Sequence, residues 1–309
     1  MSNINNNFEY ICLNARRDPK GFVEKSEQRY KNIIDTVCNE IVTGEKKIIL
    51  ISGPSASGKT TTGVKICTQL RNMGCNAYPV SLDDFYKEDV SKLVDEEGNA
   101  DFEGVDALDL ELVKECFTKL INDGESDLPT FDFIQKKRFM GVNHLKLEKG
   151  DVIVLEGIHA LNPAITENLP GDSIYKIYVN VSSRVYDNDK RIVLNKRNIR
   201  FLRRLVRDYY YRNSSTENTF TLWKKVLKSE DEFIFPYRDM ADAKINSVHI
   251  YEPCVLKNIA TEMLMQLPED SEYKEEAQRL IKSLENFPVI ENSLIPPDSL
   301  VREFVGIEL

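Results

Sequence analysis

The sequence predicts an α/β fold in which a parallel sheet is flanked by helices. Two apolar runs, residues 47–52 and 152–155, are rich in β-branched residues and have the length of strands that are buried on both faces. A glycine-rich loop and then a helical pattern of apolar residues follow the first run. Two further runs, residues 77–82 and 174–181, extend the predicted sheet.

The loop at residues 53–60 reads Gly-Pro-Ser-Ala-Ser-Gly-Lys-Thr and fits G-x-x-x-x-G-K-[ST] at every fixed position. Its glycines let successive N–H groups converge on phosphates, and the next helix points its positive end at the same anion. In this pattern Lys59 reaches the β- and γ-phosphates and the Thr60 hydroxyl binds Mg²⁺. Glycine-serine turns before helices also occur without a ligand, but strand, loop, Lys-Thr and helix together indicate a nucleoside-triphosphate site and a P-loop NTPase fold. The predicted nucleotide-binding residues are Gly53, Ser55, Ala56, Ser57, Gly58, Lys59, Thr60 and Thr61.

Composition indicates an ordinary globular protein with one domain and appendages. The chain has 309 residues, of which 41% are hydrophobic and 29% charged. Since no apolar run approaches the span of a bilayer and the start lacks a signal-peptide core, we expect a cytoplasmic protein with no membrane partner. The net charge of −9 argues against nucleic acid as a partner. Six scattered cysteines without a C-x-x-C pair are typical of reduced core thiols.

Carboxylates follow two of the predicted strands. Asp83 comes directly after residues 77–82, and Glu156 follows residues 152–155. Ligands of open α/β sheets bind beyond the carboxyl ends of the strands, so both side chains are expected near the nucleotide. There Asp83 could accept the proton of an attacking hydroxyl, and Glu156 could lie on the magnesium side. The alternatives are a helix-capping aspartate and a surface glutamate.

The remaining elements are helical by their periodicity. One helix is predicted from Ser26 to Gly44, and another after the loop with Val64, Cys67 and Leu70 on its buried face. Two more are predicted in the C-terminal part of the chain. The resulting division is an N-terminal helical extension (1–44), a P-loop core (45–256) with a lid at about 183–236, and a C-terminal helical extension and tail (257–309).

The segment 190–212 is the strongly basic part of the chain, with nine Lys and Arg residues against Asp208. On a helix, four arginines would share one face: Arg200, Arg203, Arg204 and Arg207. The residues alone leave three interpretations open. The segment could bind nucleic acid, form a solvated charged face, or act as an arginine lid over nucleotide phosphates, where guanidinium groups suit the dispersed charge.

Four segments of the sequence resemble motifs of the uridine kinase and phosphoribulokinase family. Residues 81–86 resemble its Asp-Ser-Phe-Tyr segment, and residues 101–109 its F-D-x-P-x-A-x-D segment. Residues 128–133 resemble P-x-Y-D-F, and residues 203–208 resemble the R-R-x-x-R-D lid. Similarity in the last hundred residues points to a bacterial-type branch of uridine-kinase-like proteins. Its members usually carry a preceding region related to threonyl-tRNA synthetase domains, which is missing here.

The resemblance implies a role for each matching residue. Asp83 would be the general base and Tyr86 would line the acceptor pocket, while Glu103 would bind a ribose hydroxyl. Phe131 and Lys136 stand where the family has the Tyr and His that contact a pyrimidine, so the base contacts differ. The other predicted residues are Arg138 at the substrate, Thr60 and Glu156 at the metal, and Lys59, Arg204, Arg207 and Arg212 as catalytic cations.

We therefore expect an ATP- and Mg²⁺-dependent kinase that transfers the γ-phosphate to a hydroxyl. The expected acceptor is the 5′-hydroxyl of a nucleoside of the uridine or cytidine type. The alternatives are a kinase for another small alcohol and a P-loop regulatory NTPase without a metabolite acceptor. The partners would be small molecules, and assembly into a homo-oligomer is compatible with the sequence.

Overall fold

The structure is a computed structural model that describes residues 5–88, 104–132, 135, 137–167, 169 and 171–305. Within these ranges the strands are β1 (Ile48–Ser52), β2 (Ala77–Ser81), β3 (Glu125–Asp132), β4 (Lys137–Lys146), β5 (Val152–Glu156), β6 (Ile174–Asn180), β7 (Val185–Tyr186), β8 (Ile192–Leu194) and β9 (Ala243–Asn246). The helices are α1 (Phe8–Arg17), α2 (Pro19–Thr43), α3 (Lys59–Asn72), α4 (Leu110–Asn122), α5 (Pro163–Thr166), α6 (Lys196–Arg212), α7 (Thr216–Phe233), α8 (Glu252–Met265), α9 (Lys274–Leu284) and α10 (Arg302–Val305).

A five-stranded parallel sheet forms the centre, in the order β2-β5-β1-β6-β9. All five residues of β1 are buried, as its continuous apolar sequence predicts for a strand covered by helices on both faces. Because the strands are parallel, the carboxyl ends of β2, β5 and β1 lie side by side at one edge. The predicted α/β fold is confirmed.

Two small antiparallel pairs complete the described strands. The strands β3 and β4 form a hairpin beside α4, and the short β7 and β8 precede α6. Phe131 on β3 is buried, whereas the middle of β4 is exposed. The hairpin therefore packs one strand on the core and presents the other to solvent.

The N-terminal helices begin earlier than the sequence pattern predicts. Asn7 caps α1 by accepting the N–H of Tyr10, and Asp18 caps α2 by accepting the N–H of Gly21, with Pro19 in the first turn. The expected start of this helix at Ser26 is therefore wrong, while its end at Gly44 is confirmed. Residues of α1 pack with those of α6, α8 and α9 in one apolar cluster, so both ends of the chain cover the same side of the core.

The buried face of α3 also differs from the expected one. Val64 is 53% exposed, whereas Ile66, Cys67 and Leu70 are fully buried. Gly63 faces β1 and β5, where a Cβ would meet Ile51 at 3.6 Å. The helix therefore turns Gly63 toward the sheet and Val64 toward solvent.

Candidate active site

The loop between β1 and α3 turns sharply at residues with positive φ. Gly58 lies in the left-handed region at φ 84°, and Ala56 also has a positive φ of 55°. A Cβ on Gly53 would lie 2.0 Å from the carbonyl oxygen of Val179, so this position needs glycine. The first turn of α3 has no side-chain cap at Gly58, and in the described part of the chain the buried Ser57 hydroxyl makes no hydrogen bond. A helix N-terminus with such uncapped donors fits an anion.

Two carboxylates lie beside this loop, at the ends of neighbouring strands. Asp83 stands in a 3₁₀ turn (Leu82–Phe85) that follows β2, and Glu156 is the last residue of β5. The register of the sheet pairs Ser81 with Glu156, which brings the two strand ends level. The Thr60 hydroxyl donates to Glu156 Oε1 at 3.3 Å. The predicted grouping at the edge of the sheet is therefore present.

The electrostatics of these groups are coupled. Burial raises the pKa of Asp83, and the neighbouring Asp84 raises it further, while Lys59 and Arg212 oppose the shift. Burial likewise raises the pKa of Glu156, with Lys59 opposing and Asp83 adding to the rise. Lys59 thus acts on both carboxylates, as a cation between two acids would.

Arginines of α6 hold the loop from outside the sheet. Arg200 Nε donates to the carbonyl of Ser55 at 2.9 Å, and Arg203 Nη1 donates to that of Ala56 at 3.2 Å. Arg204 Nη1 donates to the Ser55 hydroxyl at 2.9 Å. All three side chains are buried, so the interpretation of this face as solvated charge is wrong for them. Buried arginines are equally unsuited to a nucleic-acid surface.

The buried arginines are balanced by acids that the sequence analysis missed. Arg200 pairs with Glu230 of α7, whose Oε1 also accepts the N–H of Ser55 at 2.9 Å. Arg203 forms two hydrogen bonds to Glu252 of α8, at 2.6 and 2.7 Å. Neither acid belongs to a sequence motif that would identify its arginine partner. The sequence indicates these acids only by their position: Glu230 and Glu252 each stand on a helix face whose other residues are buried.

Toward the end of α6 the arginines gather on one acid. Asp208 is buried and accepts a hydrogen bond from Arg207 Nη2 at 2.7 Å, and it forms ion pairs with Arg204 Nε at 3.1 Å and with Arg212 Nε at 3.5 Å. Arg212 keeps 58% of its side chain exposed. Its positive charge lowers the pKa of Asp83, so these two side chains interact electrostatically. Of the predicted lid arginines, Arg204 contacts the loop at Ser55, and Arg207 and Arg212 join Arg204 at Asp208.

The predicted acceptor side contains a buried aromatic pair. The rings of Tyr86 and Phe131 contact each other edge to face with centroids 5.8 Å apart. Asp84 Oδ1 accepts the N–H of Phe131 at 3.0 Å and so fixes the end of β3 to the turn that holds Asp83. Arg138 pairs with Asp109 at 2.9 Å, so part of its charge is already neutralised by the protein. Glu103 and Lys136 lie outside the described residues.

The sequence profile of the family described as "Phosphoribulokinase / Uridine kinase family" matches residues 48–252. The chain belongs to this family. A uridine kinase of Lactobacillus helveticus is 30% identical over 200 residues, which cover 64% of this chain and 85% of that protein. A uridine kinase of Staphylococcus haemolyticus is also 30% identical, over 197 residues that cover 63% and 84% of the two chains. Among solved structures, a possible uridine kinase from Bacillus stearothermophilus has 18% identity and a TM-score of 0.47, covering 71% of this chain and 99% of that one.

Membership of the phosphoribulokinase / uridine kinase family makes the chain a P-loop kinase, a phosphotransferase with an alcohol group as acceptor. The family profile ends at Glu252, so α9 and α10 lie beyond it. No helix of the described ranges is both long and apolar enough to cross a bilayer.

The residues present fit a metal-bound nucleotide. Mg²⁺ is usually held by one or two protein oxygens together with substrate phosphates, and Thr60 with Glu156 offers a hydroxyl and a carboxylate beside the loop. Within the described residues no group of three or more His, Cys, Asp or Glu side chains could hold a metal ion alone.

Proposed function

We propose that this protein is an ATP- and Mg²⁺-dependent kinase that phosphorylates the 5′-hydroxyl of a nucleoside. The observation that carries the proposal is the meeting of Lys59, Asp83 and Glu156 at one edge of the sheet, where the phosphate loop begins. A P-loop regulatory NTPase without a metabolite acceptor needs the phosphate loop and the metal ligands, but it needs no general base for an acceptor hydroxyl. The relatives at 30% identity, named uridine kinases, support a nucleoside as acceptor.

The loop and its helix would bind the phosphates. N–H groups of the first turn of α3 would donate to phosphate oxygens, and Lys59 would neutralise charge on the β- and γ-phosphates. Thr60 and Glu156 would hold Mg²⁺, which would supply positive charge against the negative charge that develops on the phosphate oxygens. Since little covalent chemistry falls to the protein in phosphoryl transfer, positioning and electrostatics would supply most of the rate.

Asp83 would accept the proton of the attacking hydroxyl. Burial raises its pKa, which makes the carboxylate a stronger base, while the charges of Lys59 and Arg212 oppose that rise and favour the ionised form. Arg204, Arg207 and Arg212 would form the cationic lid, with Asp208 holding their side chains in place. Arg212 is the most exposed of the three and has the most freedom to reach a phosphate.

The acceptor pocket would lie beside the aromatic pair. Tyr86 and Phe131 would bound it, with Arg138 nearby, and Glu103 and Lys136 would contribute from outside the described residues. Phe131 is buried and has no hydroxyl, so one hydrogen bond to a pyrimidine in the related uridine kinases would have no counterpart here. This favours a second candidate acceptor, another small alcohol. A cytoplasmic location and a homo-oligomeric state stay predictions.

The experiment that tests the proposal is a product assay with a panel of nucleosides and small alcohols. Wild-type protein is incubated with Mg²⁺ and ATP, and phosphorylated products are identified by mass spectrometry and ³¹P NMR. We expect a nucleoside 5′-monophosphate, and we expect Lys59→Ala to abolish it while the far-UV circular dichroism spectrum stays unchanged. If an alcohol other than a nucleoside is phosphorylated, that alcohol would be the acceptor in place of a nucleoside. ATP hydrolysis with no phosphorylated acceptor would refute the kinase proposal.

A further inference from the structure

The C-terminal segment (residues 296–305), which lies beyond the family-matched region, packs directly on the phosphate loop. Leu300 is fully buried, and its Cδ1 lies where a Cβ on Gly58 would approach within 2.6 Å. Phe304 is also fully buried and lies under the guanidinium of Arg203, 4.8 Å from its ring centroid. The segment is thus part of the wall that surrounds the loop.

One charged side chain of this segment reaches the first turn of α3. Glu303 Oε2 accepts a hydrogen bond from the hydroxyl of Thr61, the residue after Thr60. Burial raises the pKa of Glu156, and the negative charge of Glu303 is among the groups that add to the rise. The same charge opposes the lowering of the pKa of Arg212 that burial causes. Glu303 therefore lies within electrostatic reach of both the metal side and the cationic lid.

This contact conflicts with the function of the helix end that it occupies. The N-terminus of α3 attracts anions, and Glu303 places a carboxylate there, on the Thr61 hydroxyl, next to the backbone N–H groups that would donate to phosphate. When a nucleotide arrives, its phosphates bring further negative charge to the same first turn. A carboxylate beside a phosphate weakens binding by like-charge repulsion, unless the carboxylate moves away.

We propose that Glu303 is a competitor for the phosphate subsite that sets the affinity for nucleotide. In the free protein it holds the Thr61 hydroxyl, and a bound nucleotide displaces it from that hydroxyl. The packing of the C-terminal segment on the loop would therefore change when nucleotide binds. The inference rests on the proposed nucleotide site but not on the identity of the acceptor.

The test is nucleotide binding by Glu303→Gln. Glutamine keeps an oxygen that can accept from Thr61, so the variant removes the charge and retains the shape. The probe is ATP with Mg²⁺, titrated calorimetrically without any acceptor. Removing one like charge near the subsite should tighten binding about 3- to 30-fold. Amide exchange gives a second measurement, since displacement of Glu303 should speed exchange in α10 when nucleotide binds wild type.

Asp298→Asn is the matched control. It removes the same charge from the same segment, but Asp298 is 84% exposed and pairs with Lys65 of α3 at 3.1 Å rather than with a residue of the first turn. This control should bind ATP within about twofold of wild type. Equal tightening in both variants would mean a general charge effect and would overturn the proposal, as would unchanged or weaker binding in Glu303→Gln. Slower exchange of α10 with nucleotide would also overturn it. Because no acceptor is present, failure to phosphorylate nucleosides would not affect these results.

Discussion

Replacement of Arg203 by Ala tests whether α6 is part of the core. Arg203 is fully buried and forms hydrogen bonds of 2.6 and 2.7 Å to Glu252, which is fully buried as well. It also donates to the carbonyl of Ser247 at 3.0 Å and to that of Ala56 at 3.2 Å. The substitution leaves the charge of Glu252 in the interior, with the N–H of His249 as a remaining hydrogen-bond donor. Breaking such a buried pair costs about 3–5 kcal/mol of folding free energy.

The assay is urea unfolding of the nucleotide-free protein, followed by circular dichroism. Arg197→Ala is the control, because Arg197 lies on the same helix but pairs with Asp231 at 3.4 Å with both side chains more than half exposed. Arg197→Ala should lower the free energy of unfolding by about 0–1 kcal/mol. If Arg203→Ala fails to fold, the double variant Arg203→Met with Glu252→Gln should restore folding, since it removes both charges. Equal, small losses for Arg203→Ala and Arg197→Ala would refute the assignment of α6 to the core.

Three further predictions concern the site. Arg212→Gln removes a charge that lowers the pKa of Asp83, so the acid limb of kcat/KM should move to higher pH; a shift to lower pH would contradict this. Asp83→Asn should raise the melting temperature at neutral pH, because the folded state raises the pKa of this carboxyl and thus disfavours its charge. This gain in melting temperature should vanish as pH falls below the ordinary carboxyl pKa, where Asp83 is protonated in both the folded and the unfolded protein. Gly58→Ala should destabilise more than Gly74→Ala in urea, since both have positive φ but only Gly58 faces Leu300; equal losses would contradict the packing.

The parts of the site that form from a contiguous motif could be predicted from the sequence. The loop, the start of α3 at Lys59 and the acids at the ends of β2 and β5 each depend on local pattern and on the geometry of parallel strands. The sequence reports these directly, because glycine is needed where φ is positive and apolar runs are needed where strands are buried.

The role of the arginines could not be predicted in the same way. Arg200 and Arg203 look like surface charge on a helical projection, and only the pairing with Glu230 and Glu252 makes their burial possible. Those partners stand 30 and 49 residues further along the chain, and no spacing rule connects them. The contact of Glu303 with Thr61 spans 242 residues and has the same character.

Helix α1 does have a signal in the sequence. Phe8, Ile11, Cys12 and Ala15 recur at helical spacing, and Asn7 precedes them as a cap, so α1 was open to prediction. The sequence predicts the wrong place for Val64 because this residue stands three positions before Cys67 and so matches helical spacing, whereas the buried face of α3 instead contains Gly63 and Ile66 beside Cys67 and Leu70. Helical periodicity alone does not settle such a rotation.

The central claim is that Asp83 activates an acceptor hydroxyl for attack on a nucleotide bound at the loop. The most direct measurement compares phosphoryl transfer and ATP binding in wild type and Asp83→Asn, with the best nucleoside of the panel as acceptor. The variant is nearly isosteric and removes the base, so transfer should fall about 10²- to 10⁴-fold. The dissociation constant for ATP should stay within a few-fold of wild type, since the loop is intact. Unchanged transfer in Asp83→Asn would contradict the claim.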